Sequence, residues 1–218
     1  VYINNVEVFR PFLVRSGQQE GLSVINPYMV DKIGFSTGGY AAKYGDKMSS
    51  ALDITYKTLK AKSKKPVVEG SLAASLLGAD AYIGLGTQKL SWLNSVRYKT
   101  TSYLLGSMET KGEYKPNYLD YQTYLSYQPN KRWKLDFIGY ISDNHYNFEP
   151  EDRETKFGTM ENVKSFRVYF DGQEKDRFLT YFGTLGITRQ FTANTSLSLL
   201  GSAFYTKEQE KYDIQGQY

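Results

Sequence analysis

The sequence contains no cysteine, which removes disulfides, thiolate metal sites and thiol nucleophiles together. Histidine occurs once, at His145. A histidine-based triad would have to use that residue, yet no Gly-x-Ser-x-Gly elbow accompanies it, so a solvent-facing histidine at a strand end is expected. No apolar run approaches the roughly 18 residues of a membrane-crossing helix. Neither sign of charge dominates, with 27 basic against 23 acidic residues. The basic residues are scattered, so no nucleic-acid footprint stands out and no nucleic-acid partner is expected. Gly84-Leu85-Gly86-Thr87-Gln88-Lys89 lacks the spacing of a phosphate loop and no helix follows, which leaves a hairpin turn. Neither a cofactor nor a metal site is expected, and no enzymatic activity.

Against these absences stands a strong aromatic bias: 20 Tyr, 12 Phe and 2 Trp, with only 6 Pro. Such a load suits strands and membrane-interface girdles better than a helical bundle. The low mean hydropathy of −0.52 does not argue for solubility, because membrane β-barrels alternate lipid-facing and lumen-facing residues and show no long apolar runs.

Residues 1–57 mix short elements. Val1-Tyr2-Ile3 and Val6-Glu7-Val8-Phe9 are apolar runs too short for helices, on either side of the turn-prone pair Asn4-Asn5. Asn26-Pro27 opens a single helical turn expected over 27–32. Asp31 to Ser36 returns to strand, Gly38 and Gly39 permit a tight turn, and Tyr44-Gly45-Asp46 forms a corner before the apolar strand Ala51 to Tyr56. The stretch 58–66, TLKAKSKKP, carries Lys60, Lys62, Lys64 and Lys65 and no core residue after Leu59. It reads as a solvated linker and domain boundary, with phosphate or lipid-headgroup contact as the alternative.

Beyond Pro66 the hydrophobic period becomes two. Leu90, Trp92, Val96 and Tyr98 alternate with Ser91, Ser95 and Arg97. Leu119, Tyr121, Leu125 and Tyr127 alternate with Asp120, Gln122 and Ser126, and Trp133, Leu135, Phe137 and Ile141 alternate with Lys134, Asp136 and Ser142. Weaker versions at 66–77, 79–86, 178–190 and 195–206 bring the expectation to seven strands. Tight connections at 86–88, 129–131 and 191–194 lie on one side. Long polar ones are expected at 105–118 and 146–177 on the other, the asymmetry of an outer-membrane barrel. Val163 to Phe170 reads as a further strand, and Asp171-Gly172 as a hairpin-turn signal within the longer loop. Glu149, Glu151, Asp152 and Glu154 lack the spacing of a known calcium loop. Tyr146, Phe148 and Phe157 stand beside them as rings able to stack on a ligand.

The run from Asn26-Pro27 through Ile33 to Lys57, followed by a tether and alternating strands, resembles the end of the plug and the start of the barrel in TonB-dependent outer-membrane receptors. The features that carry the likeness are Gly38-Gly39-Tyr40, Tyr44-Gly45, Ser49-Ser50-Ala51 and Leu52 to Lys57. It is most similar to receptors of the Bacteroidetes, with Asn4-Asn5 where Asp-Gly is common and Ser-Ser-Ala in place of Gly-Gly-Val. The resemblance implies a mainly β fold: the C-terminal part of a small α+β plug over 1–57, a linker over 58–66, and the first strands of an antiparallel transmembrane β-barrel over 67–218, about seven of some 22 strands. On that reading the chain is a piece of a longer Gram-negative protein. It binds and imports a scarce nutrient across the bacterial outer membrane, with the plug gating the lumen. The implied partners are outer-membrane lipid, a TonB-type energy transducer, a nutrient of unknown class, and a SusD-like surface lipoprotein where one caps the barrel. Gly38, Gly39, Tyr44 and Gly45 would be structural, and Tyr146, Phe148, Glu151, Asp152 and Phe157 would face the substrate. The rival expectation is a soluble or surface-exposed β-sheet module that binds carbohydrate or acts as an adhesin. A carbohydrate-active enzyme using Glu151 or Asp152 is a third.

Overall fold

A computed structural model of the chain describes residues 1–8, 23–41, 43–45, 49–100, 112–159 and 162–217. It is almost entirely β. The strands, in chain order, are β1 (Tyr2–Ile3), β2 (Val6–Glu7), β3 (Val30–Ser36), β4 (Ala51–Tyr56), β5 (Val67–Ser75), β6 (Gly78–Gly86), β7 (Leu90–Thr100) and β8 (Gly112–Tyr114). They continue with β9 (Asn117–Asn130), β10 (Trp133–Pro150), β11 (Arg153–Thr159), β12 (Asn162–Asp171), β13 (Glu174–Thr192), β14 (Thr195–Tyr212) and β15 (Gln215–Gln217).

The first four strands form a small sheet in the order β2-β1-β4-β3, in which only the β1–β4 pair is parallel. Asn4 and Asn5 both take positive φ, 48° and 67°, the backbone of a two-residue hairpin turn, which asparagine tolerates better than other side-chain-bearing residues. The turn is fastened to β4: Asn4 N–H donates to Ile54 O at 2.8 Å, and Tyr56 N–H donates to Asn4 Oδ1 at 2.9 Å. The helical turn expected over 27–32 is shorter, a 3-10 turn of Pro27–Met29, with Asn26 Oδ1 accepting from Tyr28 N–H. Val30 onward pairs with β4, so ladder hydrogen bonds end the helix there. Among the described residues this is the one helical element, and the described part of 1–57 is mainly β-sheet.

The seven expected strands form one antiparallel meander, β5-β6-β7-β9-β10-β13-β14. It is open, not a closed barrel: among the described residues β5 and β14 have no partner on their outer edges. The loop expected over 146–177 is largely strand: β10 runs to Pro150 and β13 starts at Glu174, paired from Trp133↔Arg189 to Phe148↔Glu174. The alternation simply continues past the apolar segment, with polar residues on the face that had been apolar. Between them β11 and β12 make the expected extra hairpin. The two strands are paired from Arg153↔Val168 to Thr159↔Asn162, whereas Asp171-Gly172, with Gly172 at φ +97°, leads from β12 to β13. The connection expected over 105–118 falls partly outside the described residues; its end forms β8 against β10.

Alternation gives the meander two unlike faces. On one, Ser91, Leu93, Ser95 and Arg97 of β7 are buried, as are Asp120, Gln122, Tyr124 and Ser126 of β9 and Tyr140, Ser142 and Asn144 of β10. The small sheet packs on this face, with Ile3, Val6, Met29, Ile54 and Tyr56 meeting Leu93, Tyr124, Ile138 and Phe182. On the other face Trp92, Val96, Tyr121, Phe137, Ile141, Tyr181, Leu185 and Tyr205 are exposed. Polar residues are covered and large apolar ones bare, the reverse of what burial from water favours.

Candidate functional site: the covered polar face

The centre of the covered face is the ion pair of Arg97 and Asp120, whose side chains are 6% and 0% exposed. They lie opposite each other on β7 and β9. Arg97 Nη2 donates to Asp120 Oδ2 at 2.6 Å, and Nε donates to the same carboxylate at 2.9 Å. The rest of the guanidinium reaches into the N-terminal part of the chain: Nη1 donates to Ile25 O at 2.9 Å and Nη2 to Ser23 O at 3.0 Å. Gln122 Nε2 donates to Val24 O at 2.6 Å, and Tyr56 O–H donates to Gln122 Oε1 at 3.2 Å. Three consecutive carbonyls are thus held by side chains of the large sheet. Burial pushes the Tyr56 phenol well above its usual range, so it stays a donor. The planar guanidinium suits this task because its fixed fork serves a carboxylate and two carbonyls at once.

The stretch 58–66 is docked on the same face. Leu59 N–H donates to Ser91 Oγ at 2.9 Å, Ala61 N–H donates to Thr87 O at 3.2 Å, and Ala61 is buried. This corrects the expectation of no core residue after Leu59. The room comes from glycine: a Cβ at Gly86 would stand 2.6 Å from Leu59 Cβ and 2.8 Å from its backbone, and one at Gly84 would meet the Leu59 side chain at 2.7 Å.

Where β10 and β13 extend beyond the apolar segment, the covered face carries an aromatic step. Tyr114 stacks on Phe148 with centroids 4.6 Å apart and lies 6.2 Å from Tyr146. Asn144, 1% exposed, has neither its amide oxygen nor its nitrogen hydrogen-bonded. Asp176, opposite Tyr146, is pushed up to about 6 by burial first and then by Glu174 and Glu210. Tyr146 and Phe148 are therefore brought together. Glu151, Asp152 and Phe157 stand apart on the β11–β12 side, where Asp152 Oδ1 accepts from Phe170 N–H and Phe157 is exposed. Glu149 lies 3.9 Å from Lys115, and among the described residues no cluster of His, Asp and Glu is arranged to hold a metal ion. His145 is exposed, 3.8 Å from Asp143, at the polar end of β10.

In the small sheet Gly39 takes φ +61°, and nothing lies within 4 Å of a Cβ built at Gly38 or Gly45. Tyr44 O–H donates to Asp53 Oδ2 at 2.5 Å, and Lys43 Nζ approaches the same oxygen at 2.7 Å. Burial alone would raise Asp53, but these two donors hold it below its ordinary value, while Lys43 is raised to about 12. Asp46 of the corner lies outside the described residues. Arg97, Asp120 and Gln122 were visible in the sequence only as the polar half of an alternation. Nothing local there signals that they grip Ser23 to Ile25.

No protein-family model matches this sequence, and no curated protein or solved structure is significantly similar to it.

Proposed function

We propose that this chain is the plug-to-barrel portion of a TonB-dependent outer-membrane receptor that imports a scarce nutrient. The observation that carries this reading is the inverted amphipathicity of the seven-stranded sheet. Its buried face carries Ser, Thr, Asn, Gln, Arg and Asp together with tyrosine and the apolar Leu93, Ile138 and Phe182, and its bare face is mainly aromatic and aliphatic. In water that arrangement is costly; in a bilayer the bare face meets hydrocarbon and the polar face lines a filled lumen. The dimensions agree. On β10 the bare residues Trp133 to Ile141 cover about 27 Å of strand at ~3.4 Å per residue, or about 20 Å along the membrane normal at a tilt of ~40°, near the ~25 Å apolar band of such barrels. Above Ile141 the same face continues as Asp143 and His145. At the tight-turn end Arg189 lies over Trp133 and Phe191, 5.0 and 4.8 Å from their centroids, an interfacial grouping of cation and rings.

In this reading the small sheet is the plug, the Arg97–Asp120 pair fastens it to the wall, and residues 58–66 carry the chain from plug to wall. The aromatic step lies at the loop end of the covered face, with Phe148 half-buried and so open to arriving solute beside the buried Tyr114 and Tyr146. An energy transducer works by mechanical pull, and no bond is made or broken. Carbonate extraction of the native full-length protein tests the proposal: it should stay in the outer-membrane pellet and be released only by detergent. Recovery in the soluble fraction would sink it in favour of the soluble β-sheet binding module. Uptake of candidate nutrients by a deletion strain, with and without an active transducer, then tests the transport step.

A further inference from the structure

The tight-turn end of the large sheet has a one-sided charge. Residues 58–66 lie along this end, held there through Leu59 and Ala61, and present Lys62, Lys64 and Lys65 to solvent. The neighbouring turns add Lys89, Lys131 and Arg132, all exposed. Arg189 completes the set on the bare face, over Trp133 and Phe191. None of these cations lies within salt-bridge distance of a carboxylate among the described residues. On the large sheet the acids at this end are Glu69 and Asp136, and each is already engaged, by Lys57 at 3.7 Å and Lys134 at 2.7 Å. The opposite end is different: there Asp80 pairs with Lys99 at 2.5 Å, Asp143 with Arg177 at 2.6 Å, and Glu113 with Lys115 at 3.1 Å. The charge at one end is internally compensated, and at the other it is left for a partner.

We infer that this rim docks on the headgroups of anionic phospholipids in the leaflet that meets the tight turns. Two features select a lipid surface over a dissolved anion. The cations are spread along a rim rather than converging on one cradle. The rim is also continuous with the bare apolar face through Trp133, Phe191 and Leu197, all exposed, so one lipid can touch a cation with its phosphate and the face with its chains. Basic residues beside a membrane each strengthen attraction to anionic lipid and act within a Debye length. The inference rests on the membrane reading above.

The test uses the native full-length protein folded into phosphatidylcholine vesicles, with Trp92 and every tryptophan outside this chain replaced by Phe so that Trp133, at the rim, is the sole tryptophan. Brominated phosphatidylglycerol at one mole fraction is compared with brominated phosphatidylcholine at the same fraction. The expected result is quenching at least about two-fold stronger by the anionic lipid. That excess should vanish near 1 M salt, where the Debye length is about 3 Å, and in K62Q/K64Q/K65Q/K131Q/R132Q, all exposed positions. It should survive in K207Q/K211Q at the opposite end. Equal quenching by the two lipids overturns the headgroup inference and leaves the membrane reading standing. Quenching by neither overturns the membrane reading. Loss of the excess on adding inorganic phosphate at constant ionic strength means that the rim takes a free anion, and overturns the lipid assignment.

Discussion

Replacing Arg97 by methionine should release the segment that begins at Ser23. The substitution keeps an apolar stem of similar length but removes the charge opposite Asp120, whose side chain is fully buried, and strips donors from Ser23 O and Ile25 O. Breaking a buried ion pair from one side costs about 3–5 kcal/mol. Each carbonyl left buried without a donor adds about 1–3 kcal/mol, although shared relaxation keeps such terms from adding fully. A loss of about 4–6 kcal/mol is therefore expected at this contact. The double variant R97M/D120L removes both charges and leaves only the orphaned carbonyls, so it should be milder than R97M by about 2 kcal/mol or more. Hydrogen exchange read by mass spectrometry on peptides covering 23–36, with the β9–β10 peptides as an internal reference, separates local release from global unfolding. Unchanged protection of 23–36 in R97M, or a double variant as damaged as the single, would refute the reasoning.

Gly86→Ala should lift the 58–61 stretch off the large sheet, since the new methyl meets Leu59 backbone atoms at 2.8 Å; cleavage by trypsin after Lys60 and Lys62 should accelerate, with a stability loss of about 1–3 kcal/mol. Asp176→Asn should change the pH response of the mouth. The carboxyl is raised to about 6 in the folded chain, so its charge costs stability as pH rises from about 4 through 6, and the variant should lose that decline between urea midpoints at pH 5 and pH 7.5. Asp53 is the opposite case: its folded value is depressed, so its contribution is present above the unfolded value and lost as pH falls through the folded one. Partial exposure keeps that contribution below about 1 kcal/mol, and Asp53→Asn should abolish the acid-induced rise in exchange of β3 amides without altering the neutral state.

The large sheet was legible because period-two alternation is a local property. Trp92, Val96 and Tyr98 against Ser91, Ser95 and Arg97 announce a strand wherever it packs, and every strand so identified is present. Strand ends were less legible: β10 continues through His145 to Pro150 because cross-strand pairing with β13 continues, although the apolar signal stops at Ile141. Which face would be covered was not written in the alternation, because the same pattern serves a soluble sandwich. The coupling of Arg97 to Ser23 was out of reach, since a side chain seeking backbone carbonyls leaves no trace in the identity of the residues that supply them. Lysine content made 58–66 look like free linker; what docks it is two main-chain N–H groups and the absence of side chains at Gly84 and Gly86.

The grip on Ser23 to Ile25 also fixes an order of events in time. Its hydrogen bonds join residues 72, 74 and 98 positions apart in sequence. At synthesis rates of about 5–20 residues per second, the last partner of this segment follows it by roughly 5–20 seconds. Closing loops of that length is also entropically late. Ser23, Val24 and Ile25 are made well before their partners and are among the last secured, so this segment must remain unfastened until β7 and β9 stand beside each other.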